Sequence, residues 1–174
     1  KLGFMSFFVK ACIIGLKNYP AVNAEIQGDE IIYKNYYNIS IAVGTDKGLV
    51  VPVVKYANEI SLLSIGQSVK DLASRARSKK LIPTEMEGST FTISNLGMFG
   101  IDFFSGIINP PNAAILSVGA SSQKPVAGTS NNIVMGETMM LGLSCDHRLV
   151  DGAIAAKFLQ SLSENLENPS SMLV

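Results

Sequence analysis

The chain has 174 residues, in which 14 Lys plus Arg balance 14 Asp plus Glu, and 47% are apolar against only 16% charged. That length suits one domain with one core, and the balanced charge argues against nucleic acid or a membrane surface as partner. An average soluble domain carries roughly 25% charge and a membrane span needs about 18 or more apolar residues, a run absent here, so the surplus apolar surface predicts contact with another protein chain in an obligate oligomer.

Met5, Phe8, Val9, Cys12, Ile13 and Leu16 recur at three- and four-residue steps, which predicts a helix ending before Pro20. This pattern starts almost at Lys1, as in a chain that begins inside its domain. Tyr36 to Val43 and Leu49 to Val54 are rich in β-branched and apolar residues and read as a hairpin turning through Gly44-Thr45-Asp46-Lys47-Gly48. Leu62, Ile65, Val69, Leu72 and Ala76 mark an amphipathic helix from about Ile60 to Ser78; Arg75, Arg77, Lys79 and Lys80 at its tail read as solvated charges that complement the helix dipole. Thr90 to Ser94, Ala113 to Val118 and Met139 to Cys145 read as strands. Asn95 to Gly100 and Asn109-Pro110-Pro111 read as irregular backbone, and Ser121 to Asn132 as a polar loop. Asp151 opens a last helix with Ile154, Phe158, Leu162 and Leu166 on one stripe. Strands and helices mixed without strict alternation, and without an internal repeat, give an α/β class with a mixed β-sheet.

Two cysteines, Cys12 and Cys145, cannot form a disulfide framework, and both read as core residues of a protein in a reducing compartment. The sequon at Asn38 falls in a strand run and reads as unused. The one histidine, His147, lies between a strand and a helix, where open sheets place their sites, and its ordinary pKa near 6.5 suits a general base. A structural histidine is the competing reading. Asp151 reads first as the cap of the helix behind it, or else as the group that orients His147. A Cys145 nucleophile activated by His147, or zinc held by Cys145, His147 and Asp151, is weakly supported, and metal is not expected. Phosphate-cradling glycine motifs and a hydrolase elbow around Ser144 are both absent.

His147-x-x-x-Asp151-Gly152, within Ser-Cys-Asp-His-Arg-Leu-Val-Asp-Gly-Ala, resembles the signature of the dihydrolipoyl acyltransferase component of 2-oxo acid dehydrogenase complexes, shared more loosely with chloramphenicol acetyltransferase. Lys47 to Val53, Gly88 to Gly100 and Ile107 to Pro111 resemble the same family in the same order, so the likeness covers essentially the whole chain. It implies a chloramphenicol-acetyltransferase-like two-layer sandwich and a single catalytic domain over 1–174. The first strands of that domain, the lipoyl domain and the peripheral-subunit-binding domain would lie outside the chain. It also implies acyl transfer from a dihydrolipoyl-lysine arm, carried on a separate domain, to coenzyme A. His147 would take the thiol proton and Ser94 would hydrogen-bond the oxyanion. Asp151 would hold the histidine loop in shape, in related acetyltransferases through an arginine near the start of the domain. Asn95 and Gly97 would lie near the coenzyme A channel.

The family trimer, which builds cubic or dodecahedral cores, would bring His147 and Ser94 together across a subunit interface. The E1 and E3 components and the lipoyl domain are the further partners it implies, in the bacterial cytoplasm or the mitochondrial matrix. On the acyl group the two halves differ. Lys1 to Ala11 and Asp29 to Asn35 look like a succinyltransferase, whereas the segments holding Ser94 and His147 look like an acetyltransferase, which tilts the expectation to acetyl with succinyl second. A catalytically inactive scaffold and an antibiotic O-acetyltransferase sharing only the His-x-x-x-Asp-Gly loop are the alternatives.

Overall fold

A computed structural model describes residues 3–128 and 132–172. The first helix, α1 (Phe4–Asn18), stops two residues before Pro20 and buries Phe8, Val9, Cys12, Ile13 and Leu16, as its periodicity predicts. Met5 is only partly buried against that core. A hairpin of β1 (Ala24–Gln27) and β2 (Glu30–Tyr33) follows, turning at Gly28, whose φ of +59° suits glycine. The sequence reading passed over it, although Gly-Asp is a two-residue hairpin signal. The reason lies in composition: Glu25, Gln27, Glu30 and Lys34 dilute the apolar alternation, and Glu25 and Lys34 are instead buried as an ion pair.

The expected hairpin over 36–54 forms, divided into two ladders. β3 (Ile39–Ile41) pairs antiparallel with β6 (Val53–Val54), and β4 (Val43–Thr45) with β5 (Gly48–Val50). Ser61 caps α2 (Leu62–Arg77), its side chain accepting from the Ser64 backbone N–H at 3.1 Å, which starts the helix two residues later than the periodicity alone implied.

β7 (Phe91–Asn95), β8 (Ala114–Val118) and β11 (Leu141–Cys145) complete the main sheet in the order β11–β8–β7–β3–β6. β8 runs parallel to β7 and β7 to β3, while β11 and β6 at the two edges run antiparallel to their neighbours. Helix α3 (Gly152–Glu167) closes the chain, its Phe158 ring 5.6 Å from that of Phe91 on β7. One buried cluster joins α1, α2 and α3 to the sheet through Leu16, Ile65, Leu116, Phe158 and Leu162.

The stretch expected as a polar loop is a correction. Ser122–Ala127 is β9, paired antiparallel with β10 (Ile133–Thr138). A two-stranded ribbon can carry polar residues on both faces and tolerate Pro125, so neither excludes a strand. Residues 129–131 of that expected loop lie outside the described residues, as do Lys1 and Leu2.

Candidate active site

Cys145, the last residue of β11, pairs with Ala114, and the next backbone N–H, of Asp146, donates to the Ala113 carbonyl at 2.8 Å. The chain then turns through His147 and Arg148, with the Leu149 and Val150 N–H groups returning to the Asp146 carbonyl at 2.9 and 3.0 Å. Arg148 donates from Nε to Asp146 Oδ1 at 3.0 Å and from Nη2 to Oδ2 at 2.6 Å, and its backbone N–H donates to Oδ1 at 3.0 Å. Those bonds hold the Asp146 carboxyl down at about 2, so the turn is braced by a carboxylate across the whole neutral range. The sequence analysis gave this pair no role; its signal is the i, i+2 spacing of opposite charges around the histidine.

His147 sits exposed at the tip of this braced turn, and no hydrogen bond ties its side chain to another described residue. An imidazole so placed is free to meet a thiol from outside the chain. Cys145, two residues earlier, is half-buried, and burial, helped by the negative charge of Asp146, pushes its thiol pKa up, which opposes thiolate formation. Cys12, wholly buried in α1, is raised much further by burial alone. Both cysteines behave as core residues.

Asp151 does what its position predicts. Its Oδ1 accepts the Ile154 backbone N–H at 2.8 Å and caps α3. Val150 between the turn and the helix is fully buried, so capping also fixes the point from which the His147 turn departs.

Ser94 lies near the end of β7, half-exposed, following the buried Ile93. Its register is informative: Ser94 stands level with Ser117 on β8, and Ser117 with Gly142 on β11. Gly142 precedes His147 by five residues. Two inter-strand steps sideways and three residues along β11 already place Cys145 about 14 Å from Ser94, and His147 lies beyond it. Within one chain the base and the hydroxyl therefore do not converge on one carbonyl.

Asn95 and Gly97 are used by the backbone. Asn95 Oδ1 accepts the Gly97 N–H at 2.8 Å, and a Cβ on Gly97 would stand 2.8 Å from the Gly119 carbonyl oxygen, so only glycine fits. Both also line a groove of about 440 Å³ with Phe4, Met98 and Glu137, which adjoins a larger one of about 720 Å³ between α1, β10 and α3. Neither groove is lined by Ser94 or His147.

A dihydrolipoyllysine-residue succinyltransferase component of the 2-oxoglutarate dehydrogenase complex from Haemophilus influenzae is 44% identical over all 174 residues, which cover 42% of that protein. The chain thus spans less than half the length of the curated relatives it matches. Dihydrolipoamide acetyltransferase from Azotobacter vinelandii superposes with a TM-score of 0.95 at 38% identity, covering all of this chain and 72% of that one. The same figures hold for the cubic core of a pyruvate dehydrogenase multienzyme complex. A chloramphenicol acetyltransferase at 13% identity, with a TM-score of 0.59 over 94% of this chain and 78% of its own, shares the fold. With its mixed sheet, its braced histidine turn and a match to the model of 2-oxoacid dehydrogenases acyltransferase (catalytic domain) over residues 1–174, the chain belongs to that acyltransferase family.

Proposed function

We propose that this chain is the greater part of a catalytic domain that moves an acyl group from the thioester of a dihydrolipoyl-lysine arm to coenzyme A. The observation that carries the reading is the exposed His147 on its braced turn, its side chain bonded to no other described residue, in a chain that matches the acyltransferase family from end to end. His147 takes the proton of the coenzyme A thiol, and the thiolate attacks the thioester carbonyl. Ser94 Oγ–H donates to the oxyanion that forms. Collapse expels the lipoyl thiolate, which takes the proton back from His147, so protons and thiols balance.

The separation of Ser94 and His147 within one chain supports a site shared by neighbouring copies, the His147 of one facing the Ser94 of the next. Exposed apolar side chains supply surface for such contacts: Met98, Phe99 and Ile107 after β7, and Ile133 and Met135 on β10. A trimer assembling into a cubic or dodecahedral core fits that surface and the solved multienzyme cores. The lipoyl domain and the E1 and E3 components then act through segments outside this chain, in the bacterial cytoplasm or the mitochondrial matrix. Asn95 and Gly97 shape the turn behind Ser94, which gives them a supporting place beside the coenzyme A channel.

For the acyl group, whole-chain identity favours succinyl, the donor named for the curated relatives, over the acetyl expectation drawn from the second half of the sequence. Acetyl is the second reading, supported by the solved acetyltransferase at a TM-score of 0.95. Steady-state rates of the complete protein with S-succinyl-, S-acetyl- and branched S-acyl-dihydrolipoamide decide between them, with succinyl transfer expected to be fastest. An assembled protein that transfers none of the three is a scaffold, and preference for chloramphenicol as acceptor marks an antibiotic acetyltransferase; either overturns the proposal.

A further inference from the structure

A closed cluster of hydroxyls and one amide lies buried at the end of the sheet that carries the His147 turn. Ser89 Oγ donates to Ser40 Oγ at 2.8 Å, and Ser40 Oγ and Thr92 Oγ1 share a hydrogen bond of 2.9 Å. Asn112 closes the ring: its Nδ2 donates to Ser89 Oγ at 3.0 Å and to Thr92 Oγ1 at 2.8 Å. All four residues are buried, and they come from β3, the approach to β7, β7 itself and the residue two before β8. Asn112 follows the Pro110–Pro111 pair, and nothing in the sequence analysis assigns it a role.

The cluster has one covalent neighbour in common with the histidine turn. Asn112 is followed by Ala113, whose carbonyl accepts the Asp146 N–H at 2.8 Å. Ala114 pairs with Cys145 in the last rung of the β11–β8 ladder, so Asn112 stands two residues before the strand that pairs with the one carrying the histidine turn. The route is short: Asn112 is clamped to β7 and to the segment leading into it, it fixes Ala113, Ala113 holds Asp146, and Asp146 grips Arg148 on the far side of His147. Packing alone does not ask for this amide. Asn112 Oδ1 is buried with no hydrogen-bond partner among the described residues, a loss that an apolar side chain of similar size would avoid. What the amide supplies is direction, two donor bonds to fixed hydroxyls that set the backbone leading into Ala113.

We infer that Asn112 is a positioning residue for His147, acting through Ala113 and Asp146 without touching substrate. The inference rests on the acyltransferase reading for its kinetic consequence and stands apart from it in a second readout, because His147 is the one histidine of the chain. Modification by diethyl pyrocarbonate, followed by mass spectrometry at the peptide that carries His147, therefore reports the exposure and orientation of that one ring whether or not the protein turns over.

The experiment compares the assembled wild-type protein with Asn112→Ala, and with Val54→Ala as a control that weakens the core at β6, the opposite edge of the sheet. Asn112→Ala is expected to lower kcat by about 10- to 100-fold with KM for coenzyme A within two-fold, the pattern of a misplaced base. It is also expected to change the modification rate of His147 at least three-fold. Val54→Ala is expected to leave both within two-fold despite its loss of stability. If Asn112→Ala does not assemble, Ser89→Ala, which removes one acceptor of the amide, is expected to show the same signs at smaller amplitude. An unchanged kcat and modification rate in the assembled Asn112 variant, or in the Ser89 variant when that one serves, overturns the inference. So does an equal effect of Val54→Ala. If the wild-type protein transfers no acyl group, the modification rates alone decide, so the two readings fail separately.

Discussion

Gly15 on α1 lies directly against the ring of Phe158 on α3: a Cβ built on Gly15 would stand 2.8 Å from Phe158 Cε2. The same ring packs on Phe91 at 5.6 Å, so it is held from both sides and cannot retreat freely. The helix layer and the sheet are thus locked together through one aromatic side chain.

Gly15→Ala should therefore overpack this contact and lower stability by about 1–3 kcal/mol, although alanine is the better helix former. A thermal midpoint lowered by several degrees is the expected reading. An unchanged or raised midpoint would mean that the ring moves aside without cost.

Removing His147 or Ser94 should cut turnover by different amounts. His147→Ala is expected to lose about 10²- to 10⁴-fold in kcat, and Ser94→Ala about 10²- to 10³-fold. If each site takes its histidine from one copy and its serine from the next, refolding equal amounts of the two inactive variants together should restore about a quarter of the wild-type sites. Recovery no greater than the sum of the separate residual rates would place both residues in one chain's own site.

Asp151 offers a test of capping against orientation. Asp151→Ala removes the acceptor of the Ile154 N–H and should cost about 0.5–2 kcal/mol. Asp151→Ser retains a capping oxygen and should recover most of that loss. Recovery of kcat in parallel with stability identifies the cap as the whole contribution of Asp151; stability restored with kcat still depressed shows that the carboxylate also acts on the turn.

Acid should weaken the brace behind α2. Arg75 donates to both oxygens of Glu85, at 2.7 and 2.5 Å, and the Ile82 N–H donates to Oε2 as well, which holds the Glu85 carboxyl down at about 2 against its usual value near 4.5. A carboxyl depressed in the folded state stabilises fully above its unfolded value, and that contribution fades as pH falls through its folded value. The stability difference between wild type and Glu85→Gln should accordingly hold from neutral pH to about 4.5 and vanish towards pH 2. Added salt should shrink it throughout, since the pair lies near the surface.

Much of this molecule was legible in its sequence because its signals are local. Three- and four-residue apolar steps located α1, α2 and α3, β-branched runs located β7 and β8, and the sole histidine before a helix cap drew attention to the turn that Asp146 and Arg148 brace. The β1–β2 and β9–β10 hairpins escaped because polar and charged residues interrupt the apolar alternation, in β1–β2 through the Glu25–Lys34 ion pair and in β9–β10 because the ribbon is mostly exposed. Low charge together with many apolar residues already predicted an oligomer, and the exposed Ile107 and Ile133 show where that surplus lies.

Tertiary structure decided what periodicity cannot express. Spacing along a chain says nothing about which strands become neighbours, and only the β11–β8–β7 register shows that Ser94 and His147 stand at opposite ends of the sheet. Nor does sequence reveal that Asn112 closes a hydrogen-bond ring with Ser40, Ser89 and Thr92, because those partners lie 20 to 72 residues away along the chain and meet only when parallel strands bring them together. Residue types set the chemistry available to this protein, and the pairing of distant strands set which of those residues can act together.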